Sequence, residues 1–335
     1  MSDPRYPQSL CGPAGLALPE LRGLDRLAWV TSHLFIGVIG RSMLPDVIAV
    51  ARDWQPALIV RESLEFSGCT AAEALGLPHA SVAAAANCAL DHRASLAPAL
   101  ASLRTAAGLS GDDADAMPYR HLHLCFSPPC FDGPEATFPP TARFFAQPVR
   151  ADADGPVDDW LTGVDPDRPL VLVSMGTIFH RIPDVYEAVV HALAAEPVAA
   201  LVALGFDQDP SRLGDQPPHI RVERELPVAS LLPYCRLFVT HGGFNSVKEA
   251  LVSGTPMVVI PLASDQFYSA ERCSVLGVAE AVGPDHHQSD RVGEAIRTVL
   301  EVPAYGARAR EVQKVMAALP PVEETVPLLE SLAGA

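Results

Sequence analysis

Apolar side chains recur at close to helical spacing through Leu27, Val30, Leu34, Val38, Leu44, Val47 and Val50. That period predicts helical structure over residues 24–54, with Pro45 dividing the run into two helices. Beyond it the pattern changes. A short apolar run at 57–60 reads as a buried strand, 69–75 as a helix closed by Gly76, and 79–83 as the next strand. A helix over 91–107, an acidic loop at 111–115, a strand over 121–126 and a last strand over 144–149 complete this half. The second half is more regular. Strands are predicted at 170–174, 198–204, 219–222, 237–240, 257–260 and 278–282. Helices at 183–195, 228–234, 245–253, 268–276 and 290–300 lie between them, and two more, from Tyr305 and from Glu323, close the chain. Strands alternating with helices imply parallel α/β architecture in both halves.

A chain of 335 residues can bury two cores. Residues 150–168 are rich in Asp, Gly and Pro and read as a linker. The expected organisation is a first domain over 1–149, a second over 169–320 and a C-terminal helical tail over 321–335. With 49% hydrophobic and 19% charged residues the chain is globular. Its net charge of −16 argues against a nucleic-acid binder, which needs clustered Lys and Arg. A single nucleotide remains allowed, because backbone amides at a helix start hold phosphate without net positive charge. The seven cysteines form no CxxC pair, so they read as reduced thiols of a cytoplasmic protein. Nothing at Met1–Arg5 resembles a signal peptide, and the apolar run 27–39, interrupted by Thr31, Ser32 and His33, reads as too short and polar to span a membrane.

Three strand ends carry candidate chemistry. The strand 237–240 runs into His241-Gly242-Gly243-Phe244-Asn245-Ser246 and then a helix. Unpaired amides and the helix dipole converge there on one point, suited to a diphosphate; a capped glycine turn is the alternative. The strand 170–174 ends in Ser174-Met175-Gly176-Thr177, which reads either as an ordinary turn or as a second ligand loop. The strand 257–260 leads to Asp265-Gln266, whose carboxylate and carboxamide suit vicinal sugar hydroxyls, although such a pair also caps helices.

The stretch from Glu225-Leu226-Pro227 through the His241–Ser246 motif and Glu249 to Asp265-Gln266 resembles the donor-binding signature of family 1 glycosyltransferases. The nearest flavour is the bacterial branch acting on macrolides and other natural products. The resemblance implies the GT-B fold: two Rossmann-like, doubly wound domains. It implies that His241, Gly242, Gly243, Asn245 and Ser246 bind the diphosphate and Glu249 the ribose. It places Asp265 and Gln266 on the donor sugar, and Ser174, Gly176 and Thr177 near the phosphates. Leu226 and Val228 would approach the base, but Glu225 and Val228 stand where the family usually has a stacking aromatic and a Gln, which leaves uracil and thymine both open. The implied reaction is inverting transfer from a UDP- or dTDP-sugar to a small hydrophobic acceptor, with no metal or cofactor.

Residues 54–62 and 69–82 resemble the same family, yet no strand ending in Gly-His precedes Trp54. In the family that His is the general base, so the first domain is expected to be incomplete and the chain to self-associate through exposed apolar edges. A catalytically inactive homologue is the alternative. Among stand-ins for the base, Glu62 past the strand at 57–60 is favoured over His33 and His79, which read as structural. Three Asp-x-Asp triplets, at 113–115, 152–154 and 165–167, read as solvated loops. His121 and His123 share a strand face, and neither they nor His286-His287 have a third ligand at metal-site spacing.

Overall fold

The computed structural model describes residues 23–86, 93–110, 114–147, 157–177, 182–283 and 288–334. By contacts the described residues divide into two compact units, one with 23–146 and 319–334, the other with 147–318.

The N-terminal unit holds a parallel sheet of four strands: β1 (Ile59–Glu62), β2 (His79–Val82), β3 (Leu122–Cys125) and β4 (Ala142–Phe144). They pair in chain order, β1-β2-β3-β4. One face carries Ala80, Val82, Leu122 and Leu124, against which Leu328, Leu329 and Leu332 of the C-terminal helix Thr325–Ala333 pack. A separate cluster joins Phe66 and Cys69, at and within the helix Ser67–Leu75, to Leu96, Leu100 and Leu103 of Arg93–Ala106. Gly76 closes Ser67–Leu75 in the left-handed conformation expected of it.

Two expectations need correction here. Pro45 does not divide the first helical region, which runs unbroken as α-helix Gly23–Val30, π-helix Thr31–Gly40 and α-helix Arg41–Trp54. Pro45 sits just past the π-to-α junction, where the hydrogen-bond pattern changes anyway and a missing N–H disturbs least. The continuous stretch Asp25–Trp54 is consequently long and apolar enough to pass for a membrane span by length and composition, which the run 27–39 alone is not. Its Thr31, Ile36, Leu44 and Ala51 are nonetheless buried in protein. The last strand also ends earlier than the pattern suggested. Phe145 still donates to Cys125, but Ala146 turns to the carbonyl of Pro320, so the C-terminal segment takes over its backbone pairing.

The C-terminal unit follows the pattern closely. Its strands are β5 (Leu170–Ser174), β6 (Ala199–Ala203), β7 (Ile220–Glu223), β8 (Leu237–Thr240), β9 (Met257–Val259) and β10 (Ala279–Ala281). All are parallel, in the order β10-β9-β8-β5-β6-β7. Every residue of β5, β6, β8 and β9 is buried, as continuous apolar runs demand when helices cover both faces. The order reverses between β5 and β8, and in such sheets the crevice beyond the carboxyl ends at the reversal is where ligands bind.

Candidate functional site

Register brings the three sequence-predicted loops together. Ser174 pairs with Thr240 across β5 and β8, and Thr240 pairs with Val259 across β8 and β9. The chain therefore leaves three adjacent strands at one level, and the loops touch. The His241 ring lies between Gly176 and Gly243: a Cβ on either would stand 2.6 and 2.5 Å from ring atoms. Glycine at both positions is what admits the imidazole. Gly242, at φ +83°, faces the backbone of Gln266, so the second and third loops are also in contact.

His241 is almost fully buried, and burial pushes its pKa down to about 4, so the ring is neutral at pH 7. Thr240 Oγ1 lies 3.4 Å from His241 Nδ1 and accepts from the Gly242 amide at 3.4 Å. The hydroxyl can donate to Nδ1 or accept from it, so the contact orients the ring in either tautomer. Thr240 is a contributor that sequence reasoning passed over; a hydroxyl closing the strand just before the motif was the available signal.

The helix Phe244–Ser253 starts with no side-chain cap on its N-terminal amides. Asn245 is exposed, Ser246 half-buried, and Glu249 one turn on from Asn245 shares its face. Lys248, which the sequence reading did not single out, is buried on this helix with its Nζ 4.8 Å from the Phe244 ring centre, and burial lowers its pKa to about 8. In the β5 loop, Ser174 Oγ accepts from the Gly176 amide at 3.3 Å and Thr177 is exposed.

Asp265 stands at the N-cap of Gln266–Val275 without a side-chain capping bond, so the capping alternative does not describe its carboxylate. Gln266 is different. It is buried, and its Oε1 accepts from the amides of Leu262 at 2.8 Å and Ala263 at 2.9 Å.

Leu226 and Val228 lie past β7, further along the same edge of the sheet. The Val228 amide donates to Leu226 at 2.8 Å around Pro227 at φ −73°, ψ 74°, an inverse γ-turn. Glu62 belongs to the other unit, at the carboxyl end of β1. It is exposed, and its Oε1 accepts from the Leu64 amide at 2.8 Å and Ser63 Oγ at 3.0 Å.

His33, His79 and His123 sit in structural surroundings. His33 stacks on Trp29 and bonds its carbonyl. His79 is buried 3.9 Å from Glu73, and His123 Nδ1 meets Ser81 Oγ at 3.2 Å. Asp165 accepts from the Asp167 amide and pairs with Arg168; Asp113, Asp152, Asp154, His286 and His287 lie outside the described residues. Cys69, Cys125, Cys130, Cys235 and Cys273 are free thiols. An open depression of about 310 Å³ beside Pro183, Asp207, Gln208 and Arg212 includes none of the predicted site residues.

Comparison with known proteins places these features in context. Two family models match: the N-terminal domain of the erythromycin biosynthesis protein CIII-like family over residues 27–113, and its C-terminal domain over 188–332, together well over half of the chain. The chain is 31% identical to 4'-demethylrebeccamycin synthase of Lentzea aerocolonigenes over 63% of its length, a match that spans half of that relative. It is 28% identical to aklavinone 7-beta-L-rhodosaminyltransferase of Streptomyces galilaeus over 96% of the chain and 77% of the relative. Among solved structures, the glycosyltransferase VinC in complex with dTDP superposes with a TM-score of 0.76 at 24% identity, covering 97% of this chain and 86% of VinC. The spinosyn rhamnosyltransferase SpnG does so with a TM-score of 0.78 at 21% identity, covering 92% and 81%. Both share the two-domain α/β fold.

Proposed function

The chain belongs to the EryCIII-like family of natural-product glycosyltransferases, and on that premise we propose that it is a soluble, cytoplasmic sugar-transfer enzyme. The donor is a UDP- or dTDP-sugar, and the acceptor is a hydroxyl on a small hydrophobic natural product. One observation carries the reading: the β5, β8 and β9 loops meet beside the point where strand order reverses, with the His241 ring packed between two of them.

Transfer to a hydroxyl in a single displacement inverts the anomeric carbon and releases the nucleoside diphosphate. Negative charge grows on the leaving phosphate, and the chain offers it the N-terminal end of the helix Phe244–Ser253, the Asn245 and Ser246 side chains and the His241 ring. Donors already in place stabilise that charge without reorganisation, so no metal is required. Glu249 takes the ribose hydroxyls and Asp265 the sugar. Glu62 is proposed as the general base; its bonds to Leu64 and Ser63 fix its carboxylate at the end of β1. The dTDP bound to VinC supports the donor class.

Calorimetric titration of the purified chain with dTDP and with UDP, followed by product analysis on a panel of nucleotide sugars and aglycones, tests the proposal. Binding of one diphosphate and appearance of an inverted glycoside are expected. Failure to bind either diphosphate would overturn the donor reading. Binding without transfer would leave a donor-binding homologue.

A further inference from the structure

Gln266 holds more of the site than a sugar contact would. Its side chain reaches back over its own loop, where Oε1 accepts from two successive amides, Leu262 and Ala263, both buried. Two N–H groups facing one side-chain atom require an oxygen there, which fixes the orientation of the carboxamide. Between those amides and Gln266 lies Ser264, at φ +57°, in the left-handed region that a residue with a Cβ rarely enters. Such a backbone persists only where its surroundings impose it. The Gln266 carbonyl and Cα lie 3.3 and 3.9 Å from where a Cβ on Gly242 would stand, so this loop also backs the glycine turn of the diphosphate site.

We propose that Gln266 is a positioning residue: its carboxamide oxygen clamps the 262–265 loop, keeps Ser264 left-handed, presents Asp265 and buttresses the Gly242-Gly243 turn. The inference deepens the donor-site reading and rests on it for its binding consequence, while the clamp itself is a property of the ligand-free chain. It separates two roles. A residue whose only task is to touch sugar matters for the nucleotide sugar and not for the bare nucleoside diphosphate. A clamp matters for both.

The test uses Gln266→Met, which keeps the shape and removes the acceptor, and Gln266→Glu, which keeps acceptor oxygens. Ser264→Val, which resists a positive φ, and the double variant Gln266→Met with Ser264→Gly complete the set. Hydrogen exchange of the ligand-free protein reads the clamp directly. Gln266→Met is expected to speed exchange at Leu262 and Ala263 by about 100-fold or more, with the rest of the C-terminal unit unchanged. It is also expected to weaken binding of sugar-free dTDP or UDP by roughly 10-fold. Gln266→Glu should stay within about 3-fold of the parent on both measures, Ser264→Val should imitate Gln266→Met, and Ser264→Gly should restore most of the lost diphosphate affinity. Unchanged exchange at Leu262 and Ala263 in Gln266→Met would overturn the clamp. So would lost affinity for the nucleotide sugar alone, with the bare diphosphate unaffected. If the parent protein binds neither diphosphate, the donor reading fails, and the exchange measurement still decides the clamp.

Discussion

The two units are built from the same alternation of strand and helix, yet their sheets are ordered differently. In the C-terminal unit the order β10-β9-β8-β5-β6-β7 turns back between β5 and β8. In the N-terminal unit the four described strands pair in the order they occur, β1-β2-β3-β4. Only a reversal sends neighbouring loops to opposite faces and opens a crevice between them. The contrast extends to what each unit buries. Around the first sheet lie the buried side chains of Arg61, His79, Arg104 and His123. The terminal nitrogens of Arg61 donate to the carbonyls of Glu62, Ser63, Glu65 and Pro118, and those of Arg104 to the Glu73 carboxylate and the Ser110 carbonyl. The second sheet is sealed in an apolar cluster, and Ser174, Thr240, His241 and Gln266 are buried at or beside the loops past β5, β8 and β9.

The sharpest way to break this comparison is to close the crevice. Gly242→Ala puts a Cβ at φ +83°, 2.6 Å from a Val259 methyl and 3.3 Å from the Gln266 carbonyl. Strain of this kind costs on the order of 1–3 kcal/mol. Diphosphate affinity is expected to fall by about 100-fold, with the N-terminal unit's hydrogen exchange untouched. Calorimetry and exchange on one sample check both halves.

Acid offers the second test. Burial holds His123 and His241 down to about 4, and burial also lowers His79 and His121. An unfolded histidine takes its proton near 6.5. Between these values the unfolded chain binds more protons, so the stability these groups contribute is complete above about pH 6.5 and declines towards pH 4. Three of the four lie in the N-terminal unit, which should therefore loosen first. Over the interval from pH 7 to 5, His123 alone corresponds to roughly 2 kcal/mol. Exchange at β2 and β3 compared with β5 and β8, between pH 7 and 5, measures it; equal loss in both units would contradict the assignment.

A milder change keeps the crevice and removes one contact. Glu249→Ala is expected to weaken dTDP or UDP by about 10-fold, near 1.4 kcal/mol, and to leave inorganic pyrophosphate affinity unchanged. Equal weakening of both would place Glu249 at the phosphates instead of the ribose.

The difference between the units also explains what was legible beforehand. Fully buried parallel strands are uninterrupted apolar runs bounded by polar loops, so β5 and β8 could be read to the residue. The loops past β5, β8 and β9 were legible because glycines, a histidine and an Asp-Gln pair punctuate them. The clamp at Gln266 and the pairing of Ala146 with Pro320 depend on partners brought in by folding, and no local pattern announces them. Pro45 misled because a proline's effect depends on the hydrogen-bond pattern around it, and the apolar spacing did not reveal the π-helical stretch before it.

The smallest expected effect concerns the exposed edge. Among the described residues β1 pairs on one side, with β2, and Val60 in it is 49% exposed, while Trp54 and Val50 of the preceding helix are 77% and 61% exposed. Edges of this kind pair with other chains unless charge blunts them. Val60→Lys should alter stability by no more than about 0.5 kcal/mol, as a surface change does. It should nevertheless shift the sedimentation profile from associated to monomeric species. The corresponding charge at an exposed position of the C-terminal unit, Val275→Lys, should not, because that residue ends a helix and lies in no strand. Equal behaviour of the two variants would show that self-association follows general hydrophobicity and not the edge strand β1.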